Sequence, residues 1–163
     1  MKSGIKLGGT FHVDAYDKKG RYKWSNVAKN MVMKVGIQNM LNATFAGATQ
    51  INPWYVGLLS DTVVTNDRTM ANIALATEFT GDRPEYVDVR SSETITNAAG
   101  KATLTCDKDA TTVEGAFLAS SDDMDGSAGV LLCAGVFSGG VKVADSGDKL
   151  VVTYTFSGQD DGV

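Results

Sequence analysis

The chain has 163 residues, of which 43% are hydrophobic, and a formal net charge of −4. This length fits one domain with a substantial core, and the composition argues against an intrinsically disordered chain. No apolar run is long enough to span a bilayer and residues 1–10 lack the apolar stretch of a secretory signal, so we expect synthesis in the cytoplasm and no membrane partner.

The first predicted element is a β-hairpin over residues 10–24. Phe11, Val13 and Ala15 alternate with polar residues, a polar turn ends at Gly20, and alternation resumes after it. We assign this hairpin to a basic N-terminal segment, residues 1–30.

The charge of the chain is concentrated unevenly. Residues 1–34 have a net charge of +6, whereas the remaining residues have a net charge of −10. Because phosphates repel an acidic body, we expect no nucleic-acid partner. The basic segment predicts docking on an acidic protein surface. An exposed hairpin whose lysines only face solvent would give the same pattern. The candidate docking residues are Lys18, Lys19, Arg21 and Lys23.

The second predicted element is the principal α-helix, over about residues 34–46, with Gly47 where its end is expected. Gly36 in the first turn weakens this helix by up to about 1 kcal/mol relative to alanine. The periodicity predicts that one apolar side faces the core, formed by Met33, Ile37, Met40, Leu41 and Phe45. A short second helix is predicted over residues 67–76, with Asp67 as its N-cap.

Most of the remaining chain has strand patterns separated by turns rich in Gly, Asn and Asp. The sequence therefore predicts a mainly β fold, an antiparallel β-sandwich or jelly roll over residues 31–157, followed by a flexible acidic tail at 158–163. The predicted strands are residues 54–60, 84–90, 93–96, 101–107, 111–120, 130–137 and 149–156.

Few residues could carry chemistry. His12 is the only histidine and has no serine or cysteine beside it, and Cys106 and Cys133 are too few for a metal cluster. We predict that both thiols are buried and free, because a disulfide requires that they face each other across the core and a reducing cytosol disfavours it. The loop Asp122–Asp125 is similar to the middle of a calcium loop, but Leu132 stands where a bidentate glutamate is needed. We therefore predict no enzyme activity, cofactor or metal, and leave calcium binding as an open alternative.

A set of short blocks forms a recognisable pattern, and the blocks are Asn39-Met40-Leu41, residues 54–59, Thr69-Met70-Ala71, Glu78-Phe79-Thr80-Gly81, Arg83-Pro84, Ile95-Thr96-Asn97, residues 113–118, Leu131-Leu132-Cys133-Ala134 and residues 150–154. These blocks resemble a family of small tailed-bacteriophage virion proteins, encoded near the major capsid protein. The likeness covers roughly residues 30–156.

This resemblance implies a capsid decoration (cement) protein on the capsid exterior of the virion. Such a protein would bind the major capsid protein, associate with itself as a dimer or trimer, and stabilise contacts between shell subunits. The resemblance carries over no catalytic residue.

Two other functions remain open from the sequence. A tail or baseplate module that binds host glycans would need an exposed concave aromatic patch, at Trp24 or at Trp54 and Tyr55. A small hydrolase would need a partner for His12.

Overall fold

The computed structural model describes residues 4–160, and this part of the chain is mainly β with one α-helix. Within these described residues, no helix is long and apolar enough to cross a lipid bilayer. The elements are β1 (Ile5–Tyr16), β2 (Tyr22–Lys29), β3 (Met31–Val32), α1 (Lys34–Phe45), β4 (Tyr55–Leu59), β5 (Leu75–Ala76), β6 (Val89–Ser91), β7 (Thr94–Thr96), β8 (Ala102–Thr105), β9 (Thr111–Val113), β10 (Gly115–Ala119), β11 (Leu131–Val136), β12 (Lys142–Ala144) and β13 (Lys149–Asp160).

The strands form two large antiparallel sheets. The first has the order β2-β1-β13-β7-β6, with β8 also paired to β13, and the second has the order β3-β11-β10-β4-β5. The short strands β9 and β12 pair with each other. The predicted mainly β, antiparallel class with one principal helix is thereby confirmed.

Alternation along the strands directs one face of each large sheet into a shared core. Phe11 and Tyr154 of the first sheet belong to the same hydrophobic cluster as Val56, Leu118 and Cys133 of the second. The rings of Phe11 and Tyr154 stack with centroids 4.0 Å apart. Burying each such side chain contributes about 1.5–3 kcal/mol, so this cluster is a main source of stability.

The central strand β10 of the second sheet is buried on both faces. Phe117 and Ala119 of β10 point away from the shared core into a second cluster, where they meet Met33 and Met70. This explains why all five residues of β10 are buried and why its sequence is apolar without alternation.

The predicted N-terminal hairpin is confirmed and is longer than expected. Strand β1 pairs with β2 on one side and with β13 on the other, in a register that runs from Ile5↔Asp160 to Tyr16↔Lys149. Residues 158–160, where the predicted tail begins, are thus the paired end of β13, and residues 161–163 lie outside the described residues. The division at residue 30 stays a prediction.

Helix α1 begins where predicted, and Met33 just before it is buried as expected, but three residues of the predicted apolar side face solvent. Ile37, Leu41 and Phe45 are 39%, 51% and 81% exposed, and the buried residue of the helix is Gly36. A Cβ added to Gly36 would overlap the carbonyl oxygen of Leu132 in β11. The helix therefore approaches the sheet through its glycine, which turns the apolar side outward.

The short helix predicted over residues 67–76 is also wrong. The segment forms turns that end in β5. Asn72 accepts a hydrogen bond from the Thr69 backbone N–H at 2.8 Å and, at its carbonyl, another from the Arg68 guanidinium at 2.6 Å. Polar side chains satisfy the backbone locally here, and that competes with helix formation.

Candidate functional site

The residues that could carry chemistry are separated in the fold. His12 is exposed and its Nε2 lies 3.0 Å from Asp14 Oδ1. Cys106 and Cys133 are both buried and free, as predicted. Within residues 4–160, no group of three or more His, Cys, Asp or Glu side chains could hold a metal ion.

The four candidate docking residues lie together on residues 17–23, the turn after β1 and the first two residues of β2, which we name the basic turn. They line a groove of about 610 Å³. Arg21 is held within the turn, because its Nε donates to Asp17 Oδ2 at 2.6 Å. Hydrogen bonds from the backbone N–H of Arg21 and then from its guanidinium hold the pKa of Asp17 below its usual value.

Lys23 is held across the groove. Its ammonium forms ion pairs with the buried Asp148 and with Asp145, the latter at 3.0 Å. The hydrogen bond to Asp148 is the main cause that raises the pKa of Lys23. Lys18 and Lys19 are exposed and make no ion pair with any residue that the structure describes. The groove is therefore of mixed charge, and the free positive charge of the basic turn lies on these two lysines.

The exposed side of α1 forms an apolar stripe of Ile37, Leu41 and Phe45. These residues are spaced by four, so their side chains lie one above the next along the helix. Contiguous exposed apolar patches larger than roughly a few hundred Å² are uncommon on soluble monomers and mark sites of contact with other molecules. The sequence pattern found these three residues but assigned them to the core.

The acidic loop after β10 encloses an arginine. Arg83 is buried, and its guanidinium donates to the carbonyl oxygens of Ser121, Met124 and Gly126 at 2.9, 3.1 and 2.9 Å. Its Cζ lies 5.2 Å from the centre of the Phe117 ring. Burial lowers the pKa of Arg83, and the aspartates of the loop oppose this effect. These loop carbonyls therefore accept hydrogen bonds from Arg83 and are not free to bind a cation.

A cavity of about 530 Å³ opens between α1 and the ends of the two sheets, and we name it the helix cavity. Trp54 lines it, together with three other aromatic side chains that come from distant positions, Tyr86, Tyr154 and Phe156. Trp24 lies elsewhere, where its Nε1 donates to the carbonyl of Val143 at 2.9 Å. Of the two aromatic patches that the sequence allowed, only the one at Trp54 is part of this cavity.

No known protein-family model matches this chain, and no curated protein sequence matches it.

Proposed function

We propose that this chain is a capsid decoration protein of a tailed phage. In this proposal it binds the outer surface of the shell and stabilises contacts between major capsid subunits. The apolar stripe on α1 is the observation that carries the proposal, because its exposed apolar side chains form a surface on which another protein can pack. The resemblance to phage virion proteins supplies the identity of that partner. We further propose that the two sheets, which share one core, form a β-sandwich of the jelly-roll kind.

The stripe suits a contact that is repeated many times. Burying Leu41 or Phe45 contributes at most about 1.5–3 kcal/mol for each side chain, which is modest for a single site. A shell presents the same site many times, and self-association of the decoration protein into dimers or trimers would add avidity. Weak contacts then suffice to hold neighbouring shell subunits together.

The charge distribution supports an exterior position. Most of the chain is acidic, which disfavours contact with packaged DNA. Lys18 and Lys19 of the basic turn have free ammonium groups, which complement an acidic shell surface.

The test is binding to purified shells that lack this protein, measured by co-sedimentation and by the heat resistance of the shells. The wild-type chain should bind and raise the temperature at which shells rupture. A double variant of the stripe, Leu41→Ser with Phe45→Ser, should bind at least about tenfold more weakly, which corresponds to a loss of about 1.4 kcal/mol.

The matched control is Val63→Ser, because Val63 is 59% exposed and lies outside the stripe. It should bind as the wild type does, and all variants should unfold at similar temperatures. Wild-type protein that neither binds nor stabilises shells would overturn the proposal, as would a stripe variant with full affinity.

The helix cavity favours a second candidate function, a tail or baseplate module that binds host glycans. Its half-buried rings of Trp54 and Phe156 offer a concave aromatic surface of the kind that such a module requires. Electron microscopy of intact particles would decide between the two positions. Density for this chain on the capsid exterior supports decoration, and density confined to the tail supports the alternative.

A further inference from the structure

We propose that the helix cavity is a binding site for a neutral saccharide. Its volume of about 530 Å³ lies within the roughly 300–1,000 Å³ typical of small-molecule pockets. The cavity reaches the core, because Leu118 and the fully buried Tyr154 form part of its wall. This inference rests on the second candidate function, glycan binding, and names its ligand class, but it does not depend on shell binding.

The cavity exists because of the way α1 is attached. Gly36 near the start of the helix packs directly on β11, whereas Met40 and Ala43 further along are only half-buried and face the cavity. After the helix, Gln50 and Asn52 continue the wall up to Trp54. The path of the backbone, and not one missing side chain, holds the cavity open.

Trp54 and Phe156 are half-buried and provide the accessible ring surface of the cavity, whereas Tyr86 and Tyr154 are buried. The hydroxyl of Tyr86 donates to the carbonyl of Ile95 at 3.0 Å, and that of Tyr154 accepts from Asn30 Nδ2 at 2.7 Å. Trp54 Nε1, in contrast, has no hydrogen-bond partner among residues 4–160. The C–H face of a sugar ring can stack on the rings of Trp54 and Phe156 while its hydroxyl groups stay hydrated or find polar partners.

Polar side chains line the rest of the cavity. Asn39, Gln50 and Asn52 each offer an amide donor and an acceptor, and none of these side chains bonds to another residue in the described part of the chain. Hydroxyl groups, which both donate and accept, match this set of amides. A fatty ligand would instead leave the amides without partners at the cost of their hydration.

The charges of the cavity select against an ionic ligand. Its wall contains one acidic and one basic residue, Asp88 and Arg90, so their formal charges cancel. An anionic ligand drawn to Arg90 would meet Asp88, and a cation drawn to Asp88 would meet Arg90. A ligand rich in hydroxyl groups and without net charge fits both the amides and this balance.

The experiment uses the full chain and a panel of neutral sugars: glucose, galactose, mannose, N-acetylglucosamine and their disaccharides. Saturation-transfer NMR should detect binding of at least one member at millimolar concentration. The same sugar should change tryptophan fluorescence in the wild type and in Trp24→Phe, because Trp24 is remote from the cavity. In Trp54→Phe, which keeps an aromatic ring, the fluorescence change should disappear.

Asn39→Ala and Gln50→Ala should each weaken binding of that sugar about three- to tenfold, the usual effect of one lost hydrogen bond. The matched control is Gln38→Ala, which changes an exposed residue of the same helix outside the cavity and should leave affinity unchanged. Thermal unfolding should be similar for all three, so that a loss of binding reports on the site.

Three outcomes would overturn the proposal. The first is that no sugar of the panel binds at a concentration on the order of 10 mM. The second is that the Asn39 and Gln50 variants bind the sugar as the wild type does. The third is that laurate or sialic acid displaces the sugar at lower concentration. Sugar binding by a chain that fails to bind shells would support this site and overturn only the decoration function.

Discussion

Gly36 of α1 packs directly against the carbonyl oxygen of Leu132 in β11, with no room between them for a Cβ. The helix has little else of its own to stabilise it. Its N-cap residue, Met33, makes no side-chain capping bond, its first turn has no acidic residue and its last turn has no basic one. This close approach therefore positions the apolar stripe outward and the helix cavity beneath.

Gly36→Ala should destabilise the protein although alanine favours helices. The intrinsic gain is about 1 kcal/mol, but the overlap is with backbone atoms that no rotamer change can relieve. We expect a net loss of about 1–3 kcal/mol in the free energy of unfolding, measured by urea denaturation.

The control for this variant is Gly8→Ala, since a Cβ at Gly8 meets nothing within 4 Å. That variant should be neutral or slightly stabilising, because alanine reduces the entropy of the unfolded chain. Equal stability of the two variants would show that the contact between α1 and β11 is not tight.

The same contact explains what the sequence could and could not predict. The alternation of apolar and polar residues predicts β1, β2, β8 and β13, because each of these strands has one buried and one solvent-facing side. Helical periodicity predicts where α1 begins, but it identifies only an apolar side and not whether the protein covers that side. Gly36, which lowers helix propensity, makes the contact, and no local pattern signals this.

The sites are harder to predict from sequence for a related reason. The helix cavity joins Trp54 to Tyr86, Tyr154 and Phe156, which only the strand order brings together. Likewise, the ammonium of Lys23 forms an ion pair with Asp148, which lies far along the chain, so Lys23 has no charge free for a partner. Composition could show an excess of basic residues near the N-terminus, but not which of them are paired.

Arg83→Lys should cost about 3 kcal/mol of stability. An ammonium cannot reproduce the fork that donates to Ser121, Met124 and Gly126, so buried carbonyls lose their partners. The control is Arg90→Lys, because Arg90 is exposed and its replacement should cost less than about 1 kcal/mol. Urea denaturation of both variants measures the difference.

Calcium should not stabilise the wild-type chain, since the guanidinium of Arg83 already takes the carbonyls of the acidic loop. Thermal unfolding with millimolar calcium and with a chelator should give the same midpoint. A midpoint that rises with calcium would contradict this prediction and would support calcium binding by the loop Asp122–Asp125.

The protein should lose stability at alkaline pH through Cys133. Burial raises the pKa of this thiol from its ordinary value of 9.0 to about 11, and its Sγ lies 3.1 Å from the hydroxyl of Tyr154. A pKa that is raised in the folded state favours folding fully below pH 9, and the contribution is lost as pH rises to 11. The expected loss from this group is about 2–3 kcal/mol.

Cys133→Ala should show a smaller fall in the free energy of unfolding between pH 8 and pH 11 than the wild type. Burial raises the pKa of Tyr86 and Tyr154 as well, so some alkaline loss should remain. Each variant is compared with itself at the two pH values, which removes the packing cost of the substitution. An unchanged fall would mean that the thiol does not contribute.

Charge reversal should separate the residues of the basic turn into two groups. Lys18→Glu and Lys19→Glu should leave stability unchanged, because both side chains are exposed and unpaired within the described chain, and each should weaken binding to shells. Lys23→Glu should instead unfold more easily, by about 3 kcal/mol, because it places a carboxylate against the buried Asp148. Thermal unfolding and shell co-sedimentation measure the two effects separately.

The control is Lys101→Glu, which reverses an exposed charge outside the basic turn and should change neither stability nor binding. The binding difference between the wild type and the Lys18 or Lys19 variants should shrink when salt is raised from 0.05 to 0.5 M, since exposed charges are screened over roughly 10 Å at 0.1 M. If Lys18→Glu and Lys19→Glu bind shells as Lys101→Glu does, the basic turn is only a solvated hairpin. The apolar stripe would then be the remaining candidate for the contact.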